Sequence, residues 1–520
     1  MIFRSPFPDI EIPEISLPSF ALQQTGRLAS KPAMIDGITG QSITYGQLEI
    51  LTRRLAIGLA ERGFGRGDVL AIYSPNTIEY PVAIYGALAA GGMVTTINPL
   101  FTTNELAVQL ADSRATYLIA TPESLPAALE AAEATQVREV FTFGEAEGVR
   151  SFDVLLADDG PWPAVEIDPR EDVALLPYSS GTGGLPKCVM LTHYNLVANC
   201  HQVNGFSLLD GDDVIITFLP FFHIYVLMVF FAYGLSEGAT IVVMPRFDME
   251  HYLQLLQDYR SKRAFVVPPV TLALAKHPVV ERYDLSSLRF VMTAAAPTPA
   301  DLCTAVMERL GVVVKQGYGM TETSPVTLLT PESAVNPTAG GLIVRNTEAR
   351  IIDTQSGAEL GPHQQGEIWV RGPQMMKGYL NRPEATAATI TPDGWLKTGD
   401  IGSADEDGYI YIVDRVKELI KYKAYQIAPA ELEAILVAHP AVADAAVIGV
   451  PDAEAGEVPK AYVVLRGEAT AEELMAFVAG QVAPYKKIRK LEFTNQIPKS
   501  ASGKILRRVL VERERSLTPA

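Results

Sequence analysis

Cysteine is scarce in this 520-residue chain: Cys188, Cys200 and Cys303 are the only three. Their spacing matches neither a metal knuckle nor a disulfide framework. They read as reduced thiols, which suits a cytoplasmic protein. Positive charge is in deficit, with 43 Lys and Arg against 60 Asp and Glu, a net charge of −17. That balance argues against a nucleic-acid partner. The opening "MIFRSPFPDIEIPEIS" holds no long apolar stretch, so no secretory signal is read there. The closing "SLTPA" is not a peroxisomal Ser-Lys-Leu address. One apolar run, Phe218–Leu235, reaches 18 residues. Pro220, His223, two tyrosines and the lack of a basic flank make it a buried core segment rather than a transmembrane span. The remaining composition is ordinary for a globular protein, 48% hydrophobic and 20% charged. The length calls for more than one structural unit.

From about Ile43 to Thr330, helical stretches such as Tyr45–Arg62 and Asn104–Asp112 alternate with short apolar runs such as "VLAIYS", "TYLIAT", "ATIVVMP" and "RAFVVPP". That alternation predicts an α/β fold with mainly parallel sheets. Around Gly340–Arg371 the texture changes to short strands between Gly and Asp turns, "EARIIDT", "GEIWVRG" and later "GYIYIVD", a β-rich subdomain. After Asp414 come a helix from near Ala430, the strands "DAAVIGV" and "KAYVVL", and a helix over Ala471–Ala483. This is an α+β module of domain size. The expected division is 1–414 and 415–520. The C-terminal end is locally basic ("PYKKIRKLEF", then Lys499, Lys504, Arg507 and Arg508), which fits either an anionic small molecule or a solvated surface.

The most informative stretch is "YSSGTGGLPKCVMLTH", Tyr178–His193. Glycines let backbone N–H groups approach an anion, and hydroxyls add donors. With "VALLPY" read as a strand and "LTHYNLVANCHQV" as a helix, the unit is a phosphate cradle or, on the Gly/Ser run alone, a surface turn. It is not a P-loop: Pro186 precedes Lys187 and Cys188 follows. "PKSASGKIL" and "GYGMTE" also fail the P-loop and dinucleotide patterns.

That loop resembles the signature loop of the AMP-forming acyl-adenylate synthetases. Four further segments are similar to that superfamily's motifs, in order: "QGYGMTE", "GWLKTGD", "DRVKELIKYKAYQIAPAELE" and "PKSASGKILRR". The texture, as in "LPFFHIY", is most like the bacterial 4-coumarate/cinnamate–CoA ligases. The resemblance implies a large N-terminal adenylate-forming domain and a small mobile C-terminal domain. It implies a carboxylic acid, ATP and CoA as substrates, with Mg²⁺ as cofactor. Lys504 would be the cation of adenylation, with Thr321 at the α-phosphate and Glu322 on the metal. Ser179, Ser180, Gly181, Thr182, Gly183 and Lys187 would hold phosphates. Asp400 and Arg415 would hold the ribose, Gln316, Gly317 and Tyr318 would line the adenine, and Gln426 would meet the adenylate. The acid would lie among His223, Ile224, Tyr225, Met228, Met292, Ala294, Ala295, Gly317, Pro325 and Val326. Lys417 would be the hinge, and Lys421, Lys423 and Ala424 would serve CoA.

Three positions depart from the pattern. Gly183 replaces a threonine, and one hydrogen bond lost to a charged group costs about 1.5–3 kcal/mol. Cys188 replaces a glycine, so a positive φ there would be strained. Ala424 replaces the glycine that lets CoA approach the backbone. The apolar acid pocket points to an aryl-acrylic acid. Alternatives are a medium-chain fatty acid, an acyl-adenylating enzyme with a weakened CoA step, and a nucleotide-binding protein without catalysis.

Overall fold

Local signals start the first long helix. The Thr44 side chain accepts the Gln47 N–H while Gln47 reaches back to the Thr44 N–H, opening Tyr45–Glu61. Its buried stripe of Leu48, Thr52, Leu55 and Leu59 keeps helical spacing. The next strand, Val69–Tyr73, is buried at all five positions, as a strand covered on both faces must be. It pairs in parallel with Met93–Ile97 and Tyr117–Ala120, and Tyr117–Ala120 pairs in turn with Glu139–Thr142. The computed structural model describes the chain apart from Ala157, Asp158, Ser180–Leu185, Pro297, Ser333, Ala424, Ala453, Ala501, Ser502 and Thr518–Ala520, and apart from the side chains of Gln426, Arg515 and Leu517.

Three sheets build the part of the chain before Lys417. Besides the sheet around Val69–Tyr73, a four-stranded sheet runs in the order Val214–Thr217, Thr240–Val243, Pro32–Asp36, Ser42–Thr44. The third has ten strands. Arg263–Val266, Phe290–Thr293 and Val313–Gly319 are parallel, and from Val326–Leu329 onward the pairing is antiparallel. The β-rich segment after Gly340 therefore extends a parallel sheet through hydrogen bonds. A separate five-stranded sheet takes all its strands from Ile420–Tyr422 onward. The helices Pro429–Ala438 and Ala471–Ala479 share a core with it.

The run Phe218–Leu235 is a core element. Ile224–Val226 is α-helical and continues as a π-helical Leu227–Gly234, buried throughout. Among the described residues no helix is long and apolar enough to cross a membrane.

The glycine-rich stretch differs from expectation. Lys187–Thr192 is a strand, paired antiparallel with Tyr178–Ser179 and Val173–Leu175. The helix begins only at His193, capped by Thr192. "KCVMLT" buries Cys188, Val189, Leu191 and Thr192 and joins the sheet. The loop thus links two strands and does not open a helix. Gly181, Thr182 and Gly183, with Ser180, lie outside the described residues. Cys188 sits in this strand, buried against Tyr178, and is absent from the positive-φ positions, so the expected strain does not arise. Burial pushes its thiol up to about 12, which makes it an inert small hydrophobe.

Asn76 ties two sheets together. Its Nδ2 donates to Leu219 O at 3.0 Å and Met244 O at 3.1 Å, and its Oδ1 accepts Phe221 N–H at 2.9 Å. Asn76→Ala leaves three buried backbone groups unpaired. It is expected to cost about 2–4 kcal/mol, read as a fall of several degrees in the calorimetric unfolding temperature. An unchanged transition would show that other contacts hold these sheets in place.

Candidate active site

One cleft of about 3050 Å³ runs between the large sheets and the C-terminal sheet. That exceeds the roughly 300–1,000 Å³ of a single small-molecule site, so the cleft has room for more than one substrate. Ser179, Lys187, His223, Tyr225, Met292, Ala294, Ala295, Gln316, Gly317, Tyr318, Thr321, Glu322, Pro325, Val326, Asp400, Arg415, Lys417 and Lys504 all line it. Met228 does not: it faces the core, 2% exposed.

Asp400 and Arg415 lie opposite one another on the neighbouring strands Leu396–Ala404 and Tyr409–Arg415. Arg415 Nε is 3.3 Å from Asp400 Oδ1, and the Tyr318 hydroxyl donates to Asp400 Oδ2 at 2.5 Å. Burial raises the Asp400 carboxyl above its ordinary range, and Arg415 and Tyr318 pull it back. Gln316 is held by Nε2 donation to Thr298 O at 3.2 Å and Pro337 O at 2.6 Å.

Glu322 sits in the turn Thr321–Thr323 and is buried. Its Oε1 accepts the Tyr379 hydroxyl at 2.8 Å, and Lys187 Nζ lies 4.3 Å from the centre of the same ring. The buried Ser179 hydroxyl has no partner among the described residues. A buried carboxylate with one oxygen engaged, beside a lysine and an unsatisfied hydroxyl, fits a divalent cation that completes its shell with phosphate oxygens. Mg²⁺ usually takes only one or two protein carboxylates. Among the described residues no three His, Cys, Asp or Glu converge on a point.

Lys504 reaches the cleft on a hairpin closed by Ser500 N–H to Lys504 O at 2.8 Å and Leu506 N–H to Pro498 O at 2.8 Å. Gly503 has φ +80°, and a Cβ there would stand 3.3 Å from Pro269 Cδ, so glycine alone fits the approach. Burial and Arg415 lower the Lys504 ammonium pKa, while Asp400, Glu322 and Glu418 oppose that shift.

The acid-side wall is apolar. Met292 and Gly317 belong to adjacent parallel strands, and a Cβ on Gly317 would stand 2.4 Å from Met292 Cε. The Tyr225 hydroxyl is buried without a partner among the described residues. His223 Nδ1 accepts Tyr225 N–H at 3.2 Å, so the ring proton belongs on Nε2. Burial and the Lys504 charge push His223 down to about 4.

Lys421 and Lys423 are exposed and lie outside the cleft. Ala424 and the Gln426 side chain lie outside the described residues. Sequence reasoning missed Tyr379, Glu418 and Arg507. Tyr379 had no motif to mark it; Glu418 and Arg507 lie inside quoted motifs, but no role was assigned to them there.

Residues 22–380 match the family model described as AMP-binding enzyme, and residues 431–504 match the AMP-binding enzyme C-terminal domain. The chain is 44% identical to a 4-coumarate–CoA ligase of Pinus taeda, covering 98% of this chain and 97% of that protein. It is 45% identical to 4-coumarate–CoA ligase 5 of Oryza sativa subsp. japonica, covering 98% and 96%. Among solved structures, ATP-bound MatB from Rhodopseudomonas palustris superposes with a TM-score of 0.88 at 30% identity, covering 97% of this chain and 100% of that one. An anthranilate CoA ligase in complex with anthranoyl-AMP gives a TM-score of 0.88 at 25% identity, covering 98% of each chain.

A neutral His223 adds no second positive charge beside Lys504. Its imidazole signal should titrate near pH 4, and its contribution to stability, full above about pH 6.5, should decline as the pH falls from there through about 4. Selective ¹³C-histidine NMR reads this directly; a midpoint near 6.5 would mean that the ring is open to water.

Proposed function

The chain belongs to the AMP-binding enzyme family, and we propose that it is an AMP-forming carboxylic acid–CoA ligase acting on an aryl-acrylic acid of the 4-coumarate or cinnamate type. The observation that carries this reading is one cleft wall shared by Lys504, Glu322, Asp400 and Arg415, beside an apolar pocket ending on Met292 and Gly317. The identity to 4-coumarate–CoA ligases, running over 98% of the chain, supports the acid class.

In the first step an oxygen of the acid's carboxylate attacks the α-phosphorus of ATP, and the bond to pyrophosphate breaks. Both reactants are anions, so the protein's work is positioning and neutralisation. Lys504 bridges the carboxylate and the α-phosphate as charge builds between them. Asp400 accepts from the ribose hydroxyls beside Arg415, and Gln316, Gly317 and Tyr318 flank the base. Thr321 donates to the α-phosphate, and Ser179 and Lys187, with the Ser180–Gly183 loop, hold the outer phosphates. Glu322 would hold Mg²⁺, which when bound would neutralise charge on the phosphate oxygens. The flat apolar floor at Ala294, Ala295, Gly317, Pro325 and Val326 receives the aromatic ring.

In the second step the CoA sulfur, having lost its proton, attacks the acyl carbon, and AMP leaves. We divide the chain at 414/415, with Lys417 as hinge. The five-stranded sheet drawn wholly from the later segment supports this division. Rotation about Lys417 would withdraw Lys504 and bring Lys421 and Lys423, which now lie outside the cleft, to it together with Ala424. A cytoplasmic setting belongs to the same reading, supported by three buried free thiols.

The test is pyrophosphate release with Mg·ATP across cinnamic, benzoic and medium-chain fatty acids, each with and without CoA. The expected result is turnover confined to the cinnamic acids and stimulated by CoA. Release without a CoA effect would indicate an adenylating enzyme, turnover of fatty acids alone would overturn the acid class, and silence with ATP bound would overturn catalysis.

A further inference from the structure

Three carboxylates act on the Lys504 ammonium: Asp400, Glu322 and Glu418. Yet the ammonium has no hydrogen-bond or ion-pair partner among the described residues. Asp400 is engaged by Tyr318 and Arg415, and Glu322 by Tyr379. Glu418 immediately follows the proposed hinge residue, lines the same cleft and is largely buried. What occupies it is Arg507, which opens the helix Arg507–Leu517 three residues after Lys504.

The Arg507 guanidinium spans three groups. Nη1 donates to Glu418 Oε2, Nη2 to Glu433 Oε2 at 2.6 Å, and Nε to Val447 O at 3.3 Å. Glu433, on the helix Pro429–Ala438, uses its other oxygen to accept Val447 N–H at 2.7 Å. The fork therefore ties the end of the Lys504 hairpin to a strand, a helix and the segment beyond Lys417. Glu418, Glu433 and Arg507 all follow Lys417 in sequence, so the triad can travel with the C-terminal unit without breaking.

Without Arg507, Glu418 becomes a carboxylate in the cleft with no hydrogen-bonded counter-ion, because Arg415, the other cation in its field, is paired with Asp400. A lysine is a mobile point charge that serves any anion within reach, and Lys504 is the free ammonium already in the field of Glu418. A Lys504 drawn to Glu418 is lost to the substrate carboxylate and the α-phosphate. We propose that Arg507 is a positioning residue for adenylation: by occupying Glu418 and Glu433 it keeps the Lys504 ammonium unpaired and aimed at the nucleotide. The proposal rests on the reading of Lys504 as the adenylation cation.

The test is acid-dependent ATP–pyrophosphate exchange by the full chain. Arg507→Gln should slow the exchange rate about 30-fold, with KM for ATP changed less than about threefold, as expected for lost positioning rather than lost binding. Adding Glu418→Gln to that variant should restore the rate to within about fivefold of the parent. A brace that merely holds the hairpin would not be rescued by removing a second of its partners. Unimpaired exchange in Arg507→Gln, or a double variant as slow as the single one, overturns the proposal. Should Arg507→Gln fail to fold, Arg507→Lys keeps a charge but loses the fork, and relief of its slowed exchange by Glu418→Gln is read in the same way. Lys504→Ala assayed in parallel separates the two levels. Normal exchange there refutes the role of Lys504 itself, whereas loss there with normal exchange in Arg507→Gln refutes only the role of Arg507.

Discussion

An ammonium among three carboxylates ordinarily settles on one of them. In this cleft each candidate is held by another donor: Asp400 by Tyr318 and Arg415, Glu322 by Tyr379, and Glu418 by Arg507. Lys504 is thereby kept available, in low-dielectric surroundings where its charge acts strongly on an incoming anion. Its seat depends on the φ of +80° at Gly503, a conformation that other residues rarely adopt, where the backbone passes close to Pro269. The neutral His223 alongside avoids adding a competing cation.

The cleft is assembled from ends of separate elements rather than from one motif. Two central strands of the ten-stranded sheet supply Asp400 and Arg415, the end of Val313–Gly319 supplies Gln316 to Tyr318, and the turn after it supplies Glu322. Parallel strands place Met292 and Gly317 close together, and the missing side chain at 317 is what makes room for the methionine's methyl group. Tyr379 links the two groups proposed to face phosphate: its hydroxyl orients Glu322, and its ring face carries the Lys187 charge. The same cleft thus sets charged and polar groups beside an apolar wall.

Much of the fold could be read from periodicity. Tyr45–Glu61 and Val69–Tyr73 carry clean helical and buried-strand patterns, and both occur where those patterns lie. The glycine-rich loop was misplaced because the helix signal of "LTHYNLVANCHQV" masked the strand Lys187–Thr192 immediately before it. Motifs marked where site residues lie, including the segments that hold Glu418 and Arg507, but not which of them pair. The pairs are long-range: Arg507 with Glu418 is 89 residues apart, and Tyr379 with Glu322 is 57. No local pattern encodes such pairs, since each partner taken alone reads as an ordinary surface charge or a turn tyrosine. The inertness of Cys188 is likewise a property of the strand it occupies and not of its neighbours in sequence.

The account's central claim is that Lys504 serves acid activation alone and that a rearranged cleft performs the thiol transfer. Single-turnover formation of the CoA thioester by Lys504→Ala, given preformed 4-coumaroyl-adenylate, tests it most directly. The account predicts a thioester rate within about threefold of the parent protein, because charge stabilisation by this residue belongs to the first transition state only. A thioester rate that falls together with adenylation would contradict it and tie Lys504 to both steps.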